Sequence, residues 1–321
     1  GPLGDNRPHY NYLTAPGTSI EDGIVIESRS AESLRLRVYA ADAHTTPDGL
    51  LDLAPAAEPT RDAGAWVAFG QPFVPGGEAS GVAASESAVE LTLDPGTSVT
   101  VPLVWNIPAD AGPGDHAAGI VTSLVEDRAA ASVQVDRRLA LRAYLALGGD
   151  IAPGLTISDL RVRAAGSANP FTSGRLTVAY TLSNTGSARL VPTERIAVRG
   201  PFGWGGRDGA DGAVLPEILP GSHLSREVTV AGVFPLVRTT TEVMVDAVAV
   251  GLGAEGATAS GRGGSTIWTV PWLWLGVLAV LSGGAVAWPR VRAKRAGERS
   301  ARAARSARGR AGGGDTSPSS G

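Results

Sequence analysis

The stretch Tyr39–Gly49, "YAADAHTTPDG", concentrates the residue types that could do chemistry. Asp42, His44 and Asp48 could in principle bind a metal, transfer a proton or fix a loop. A calcium site needs densely alternating oxygen ligands and a distal bidentate glutamate, and two aspartates are too sparse for that pattern. For catalysis, His44 would need a nucleophile and an orienting acid. We therefore predict neither a metal site nor an enzyme, and two interpretations stay open: a loop fixed by Asp42, or part of a binding surface.

A binding surface would need further side chains from elsewhere in the chain. The predicted ligand-binding set consists of Asp42, His44, Asp48, Trp66 and His116. Carboxylates beside an aromatic ring suit sugars, which present hydroxyl groups and apolar faces. Trp66 precedes Val67 and Phe69, so a place in the core is the competing interpretation for it. The chain has no cysteine, which excludes disulfides and thiolate metal sites, and we expect no cofactor.

Alternating apolar and polar residues predict the elements that position these side chains. Every second residue of Leu34–Tyr39 is apolar, as in a half-buried strand. Similar runs recur up to residue 252, separated by turns such as Asp94–Thr97. The fold class is therefore predicted to be all-β, with two tandem immunoglobulin-like β-sandwiches followed by a single transmembrane α-helix.

The predicted boundaries follow changes in composition. Gly148-Gly149-Asp150 interrupts the strand pattern and divides the two sandwiches, 7–148 and 149–252. Residues 1–6 are predicted to be a processed or flexible N-terminus, with the origin of Gly1–Gly4 left open. A flexible linker is predicted for residues 253–266, because they are rich in glycine, serine and alanine.

Residues 267–288 carry no charge and have tryptophans near both ends. This length suits the ~30 Å hydrocarbon core of a bilayer, and indoles favour its interfaces. We predict a transmembrane helix here, with both sandwiches extracellular and a basic, disordered cytoplasmic tail over 289–321. The predicted interface residues are Trp268, Trp272, Trp274, Trp288, Arg290 and Arg292.

Charge is distributed unevenly along the chain. The sequence has 28 basic and 31 acidic residues, and nine of the basic ones lie after residue 288. The remainder is acidic, and nucleic-acid binding depends on lysine and arginine contacts to phosphate. We therefore expect no nucleic-acid partner.

Several stretches of the first predicted sandwich occur in a characteristic order. They are Pro16-Gly17, Tyr39–Ala43, Thr45–Gly49, Gly64–Val67, Pro95-Gly96 and Ile107–Val121. In these stretches the chain resembles the peptidoglycan-binding domain of the WxL-interacting protein family of Gram-positive cell-surface proteins. The resemblance implies a non-enzymatic, membrane-anchored protein that binds peptidoglycan and docks surface proteins with Trp-x-Leu motifs. The second sandwich matches that family only in position and strand density.

An alternative function belongs to a different class. A sandwich with an exposed edge strand can bind an extended segment of a client protein, which would make this chain a chaperone-like assembly factor. The run Val133–Leu147 is the predicted edge strand. The identity of the partner, the oligomeric state and the role of the second sandwich stay open.

Overall fold

A computed structural model describes residues 8–74, 77–78, 80–125, 137–165, 173–233, 238–268, 276–289 and 292. Almost all of the regular structure in these ranges is β. The strands of the first unit are β1 (Tyr10–Thr14), β2 (Ser19–Glu27), β3 (Leu34–Thr45), β4 (Leu51–Leu53), β5 (Val67–Phe69), β6 (Phe73–Val74), β7 (Gly77–Glu78), β8 (Ser80–Ala84), β9 (Ala88–Leu93), β10 (Ser98–Asn106), β11 (Gly114–Leu124) and β12 (Arg138–Leu147). Those of the second unit are β13 (Leu155–Ala165), β14 (Gly174–Asn184), β15 (Leu190–Arg199), β16 (Arg207–Val214), β17 (His223–Val233), β18 (Arg238–Ala249) and β19 (Thr258–Trp268).

The first unit is a sandwich of two sheets. One sheet has the order β1-β12-β11-β3-β9-β8 with β4 beside β3, and the other has the order β2-β10-β6-β7 with β5 beside β10. Val99, Val101, Leu103 and Trp105 alternate along β10 and are at most 1% exposed. Their period of two places one face of β10 in the core, as the sequence predicts.

The second unit repeats this architecture with fewer strands. Its sheets have the orders β13-β14-β17 and β16-β15-β18-β19. Leu176, Val178, Tyr180 and Leu182 alternate along β14 and are buried between the sheets. The prediction of an all-β fold is confirmed.

The chain after residue 252 differs from the prediction. β19 lies in most of the predicted linker and includes the first two residues of the predicted membrane span. Residues 276–289 and 292 are helical. No helix within the described ranges is long and apolar enough to cross a membrane. The predicted span 267–288 and the single-pass localisation are therefore corrected.

The physical reason lies in β19. It pairs with β18 without interruption from Arg238 and Trp268 to Val248 and Thr258, so residues 267 and 268 belong to a sheet rather than to a helix. Trp268 and Trp288 are 70% and 64% exposed, and the Arg292 guanidinium lies 5.2 Å from the Trp288 ring centroid. Trp272, Trp274, Arg290 and nearly all of the predicted tail lie outside the described residues.

Candidate functional site

Asp42 holds a loop against β3. Its Oδ2 accepts hydrogen bonds from the backbone N–H groups of Arg61 (2.6 Å) and Asp62 (3.1 Å), and its Oδ1 accepts one from Gly64 (2.7 Å). These bonds fix the 3₁₀ helix Ala63–Trp66, whose close approach requires glycine at 64, since a Cβ there would lie 2.8 Å from the Ala41 carbonyl carbon. This geometry supports the interpretation of Asp42 as a loop-fixing residue.

His116 and Trp66 lie beside this loop. Their ring centroids are 4.7 Å apart, and Trp66 is 9% exposed. His116 Nδ1 is 2.6 Å from Asp62 Oδ1 and Nε2 is 2.9 Å from the Gly112 carbonyl oxygen, so both ring nitrogens face acceptors. Burial lowers the pKa of His116, but the hydrogen bonds to Asp62 and Gly112 and the charges of Asp62 and Asp115 together raise it above its ordinary value.

The other two predicted ligand residues lie apart from this cluster. His44 is exposed near the end of β3, opposite Asp52 of β4. Asp48 is exposed in a turn closed by the Thr46 N–H to Leu50 carbonyl bond of 2.8 Å. The structure therefore groups Asp42, Trp66 and His116 but not His44 and Asp48, and ligand binding by the set stays a prediction.

The stretch after Asp42 forms a junction between the two sandwiches. The Thr45 N–H donates to Ser222 Oγ (3.0 Å), and Thr45 Oγ1 accepts a hydrogen bond from the Leu219 N–H (3.0 Å). The Ser225 N–H donates to the Pro47 carbonyl oxygen at 2.8 Å. This part of "YAADAHTTPDG" therefore connects two domains, a role that the sequence analysis missed.

Arg189 is the buried centre of this junction, with a side chain that is 8% exposed. Its backbone N–H and Nε donate to the Asp115 carboxylate at 2.9 and 3.3 Å, and its Nη1 donates to Glu217 Oε1 at 3.1 Å. Its guanidinium carbon lies 4.0 Å from the Tyr144 ring centroid. These contacts hold the two units in one arrangement.

The predicted edge strand is only partly an edge. β12 pairs with β11 along its length, from Arg138 to Leu147, whereas β1 pairs only with Ala143–Leu147. The prediction is therefore corrected for this second half, which is interior to the sheet. Leu139–Arg142 has no second neighbouring strand within the described ranges, and residues 133–136 lie outside them.

Hydrogen bonds at the two ends of β12 show which backbone groups face the open side. The Leu124 N–H donates to the Arg137 carbonyl oxygen at 3.0 Å, so odd-numbered residues of β12 bond to β11. The Gly148 N–H donates to the Thr14 carbonyl oxygen at 3.0 Å, so even-numbered residues face the side of β1. The backbone groups of Ala140 therefore point towards the open side.

The side chains of this open half are also incompletely covered. Along β12, Ala143, Leu145 and Leu147 face the core and are fully buried, and Leu141 is packed against it. Leu139 belongs to the same alternating row but is 80% exposed. An apolar, core-facing position therefore lies uncovered beside the outward-pointing backbone groups of Ala140.

β2, an edge strand of the other sheet of this sandwich, is protected by contrast. The Gly23 carbonyl oxygen of β2 accepts a hydrogen bond from the Tyr10 hydroxyl at 2.7 Å, and the Gly23 N–H donates to Asp22 Oδ1 at 2.8 Å. Glu21 and Glu27 flank this point and are exposed. Charges and occupied backbone groups discourage strand addition at such an edge.

Comparison with known proteins gives weak likenesses only. No protein-family model and no curated protein match the chain. Similar solved structures include a chaperone–tip adhesin complex of CFA/I fimbriae biogenesis (10% identity, TM-score 0.35, 81% of this chain and 95% of that one). Another is the class 5 fimbriae chaperone CfaA (11% identity, TM-score 0.31, 83% and 98%). A third is the CupB2 chaperone of Pseudomonas aeruginosa (7% identity, TM-score 0.29, 83% and 99%).

These findings correct the family and function expected from the sequence. The WxL-interacting family receives no support from any family model, and the similar structures named above are chaperones or a chaperone complex. The interpretation as a peptidoglycan-binding, Gram-positive surface protein depended on that resemblance, so both the resemblance and this interpretation are wrong. At such TM-scores the likeness to chaperones carries no argument about function, which must come from the geometry of the chain itself.

Proposed function

We propose that this protein is a non-enzymatic, chaperone-like assembly factor that binds an extended segment of a client protein along the open half of β12. The observation that supports this is Leu139, a core-facing leucine that is 80% exposed beside Ala140, whose backbone groups point away from β11 to a side where no described strand pairs with them. Sheet extension of this kind gains affinity from main-chain hydrogen bonds and specificity from alternate side chains.

The client strand would continue the line of β1. β1 begins pairing at Ala143, so the client would pair with the neighbouring residues Arg142–Leu139. Alternate client side chains would cover Leu139 and Leu141 from the same side as the core. The preferred client is therefore a segment with apolar residues at every second position.

The second sandwich gives this site a rigid frame. The buried Arg189–Asp115 pair joins β11 of the first unit to the start of β15 in the second. β11 is the other neighbour of β12, so the strand that would bind the client is braced through the junction. A client can then bind to an edge that is already positioned, with little ordering of the protein itself.

A binding measurement with matched proline variants tests the proposal. The probe is a synthetic peptide with alternating valine and threonine residues and a fluorescent label. Ala140→Pro removes an N–H that faces the open side and leaves the bonds to β11 in place, so the Kd should rise at least about tenfold. Val25→Pro makes the same change on the protected edge of β2 and should leave the Kd unchanged. Equal affinity of all three proteins for the peptide would contradict the proposal.

A further inference from the structure

The second sandwich exposes a longer edge at β19. This strand pairs with β18 along all of Thr258–Trp268 without a register shift. On its other side no strand pairs with it within the described residues. β19 contains no proline and a single charge, at Arg262, so it lacks the protection that β2 has.

The hydrogen bonds at the end of the β18–β19 ladder show which groups face outwards. The Ala249 N–H donates to the Ala257 carbonyl oxygen at 2.8 Å, so odd-numbered residues of β19 bond to β18. The hydrogen bonds on the other side of β18 are consistent with this assignment, because the Val250 N–H donates to the Arg189 carbonyl oxygen at 3.0 Å. The residues whose N–H and C=O groups point towards the open side are Thr258, Ser260, Arg262, Gly264, Thr266 and Trp268.

The inner face of β19 leaves no room for inserted side chains. A Cβ on Gly261 would lie 3.2 Å from Ile157, and one on Gly263 would lie 3.1 Å from the same residue. β13 therefore packs directly beneath the strand. An occupant of this edge gains main-chain hydrogen bonds and contacts on the outer face only, unlike an occupant of β12.

We propose that β19 pairs antiparallel with β19 of a second copy of this chain, about a two-fold axis at Gly263. In this register the outward-facing residues meet one another along the whole strand: Thr258 meets Trp268, Ser260 meets Thr266, and Arg262 meets Gly264. The same patch on both copies serves as the interface, as a closed two-fold dimer requires. The two sheets join into one.

Charge selects this register over its neighbour. A shift that places the axis at Arg262 would set the two arginines directly opposite each other, which is destabilising. In the proposed register Arg262 lies opposite Gly264 of the second copy, which has no side chain. Within each copy Gly264 pairs with Glu242, so the arginine can reach across the glycine to that glutamate. Both side chains are exposed, and no ion pair of either is present in the described parts of the chain.

Sedimentation of the full chain over a range of concentrations tests the proposal. The wild-type protein should form a dimer. Ser260→Pro removes an outward N–H while leaving the β18 ladder intact, and it should raise the dimer Kd at least about tenfold. Val25→Pro is the matched control on another edge and should dimerise like the wild type. Circular dichroism checks that each variant is folded.

A charge reversal tests the register. Arg262→Glu places two acidic groups across the interface and should weaken the dimer, and adding Glu242→Arg should restore it. A wild-type protein that stays monomeric, or a Ser260→Pro variant that dimerises normally, would overturn the proposed interface. A double variant that dimerises no better than R262E would overturn the register.

Discussion

The interdomain ion pair allows the sharpest stability prediction. Replacing Arg189 with methionine keeps much of the side-chain volume but removes the charge that faces Asp115. The Asp115 side chain is 3% exposed and would be left as a buried, uncompensated carboxylate. Breaking a buried pair in this way typically costs about 3–5 kcal/mol, and the loss of the contact with the Tyr144 ring adds to it.

The matched control is an exposed arginine on β15, the strand that begins next to Arg189. The Arg195 side chain is 57% exposed, and its Nε lies 3.7 Å from Asp211 Oδ1. Exposed pairs contribute about 0–1 kcal/mol, so Arg195→Met should have a correspondingly small effect. The free energy of unfolding is measured by urea denaturation of the full chain, monitored by tryptophan fluorescence.

A double variant separates the pair from general packing. Asp115→Asn removes the buried negative charge, so adding it to Arg189→Met should recover part of the lost stability. The reasoning would be refuted if Arg189→Met cost no more than Arg195→Met. It would also be refuted if the two changes at 189 and 115 were simply additive, because residues in direct contact should show coupling.

Two further predictions concern single side chains, Tyr180 and His116. Tyr180→Phe removes the hydroxyl that donates to Glu194 Oε2 at 2.5 Å. Because Glu194 is fully buried, the change should lower the free energy of unfolding by about 1–3 kcal/mol. A loss below about 0.5 kcal/mol would contradict this prediction. The raised pKa of His116 means that the stabilisation from its pairing with Asp62 is complete below the ordinary histidine pKa of about 6.5 and is lost as the pH rises through the folded-state pKa. Urea denaturation at a series of pH values should show this loss in the wild type and not in His116→Gln, and identical pH profiles would refute it.

Local sequence patterns predicted the strands whose two faces differ. In β10, Val99, Val101, Leu103 and Trp105 occupy alternate positions and line the core, while Pro102 and Val104 on the other face are only partly buried. β19 gives no such signal, since its inner face consists mainly of glycine and other small residues that pack against β13 of the opposite sheet. Its composition therefore resembles a linker, and only pairing with β18 reveals the strand.

The residues of the candidate sites were predicted only where the chemistry is local. The role of Asp42 in fixing a loop follows from the residue type, but its partner loop lies about 20 residues away and could not be predicted. The Arg189–Asp115 pair joins residues 74 positions apart, and neither stands out in its own segment. The open half of β12 depends on where β1 begins to pair, which is a property of the assembled sheet.

The central claim is that a client segment extends the sheet at β12, and amide hydrogen exchange at single-residue resolution tests it most directly. With saturating alternating valine–threonine peptide, the amide of Ala140 should become protected, while those of Glu21 and Val25 on the protected edge should not change. Unchanged exchange at Ala140 in a protein that demonstrably binds the peptide would contradict the account.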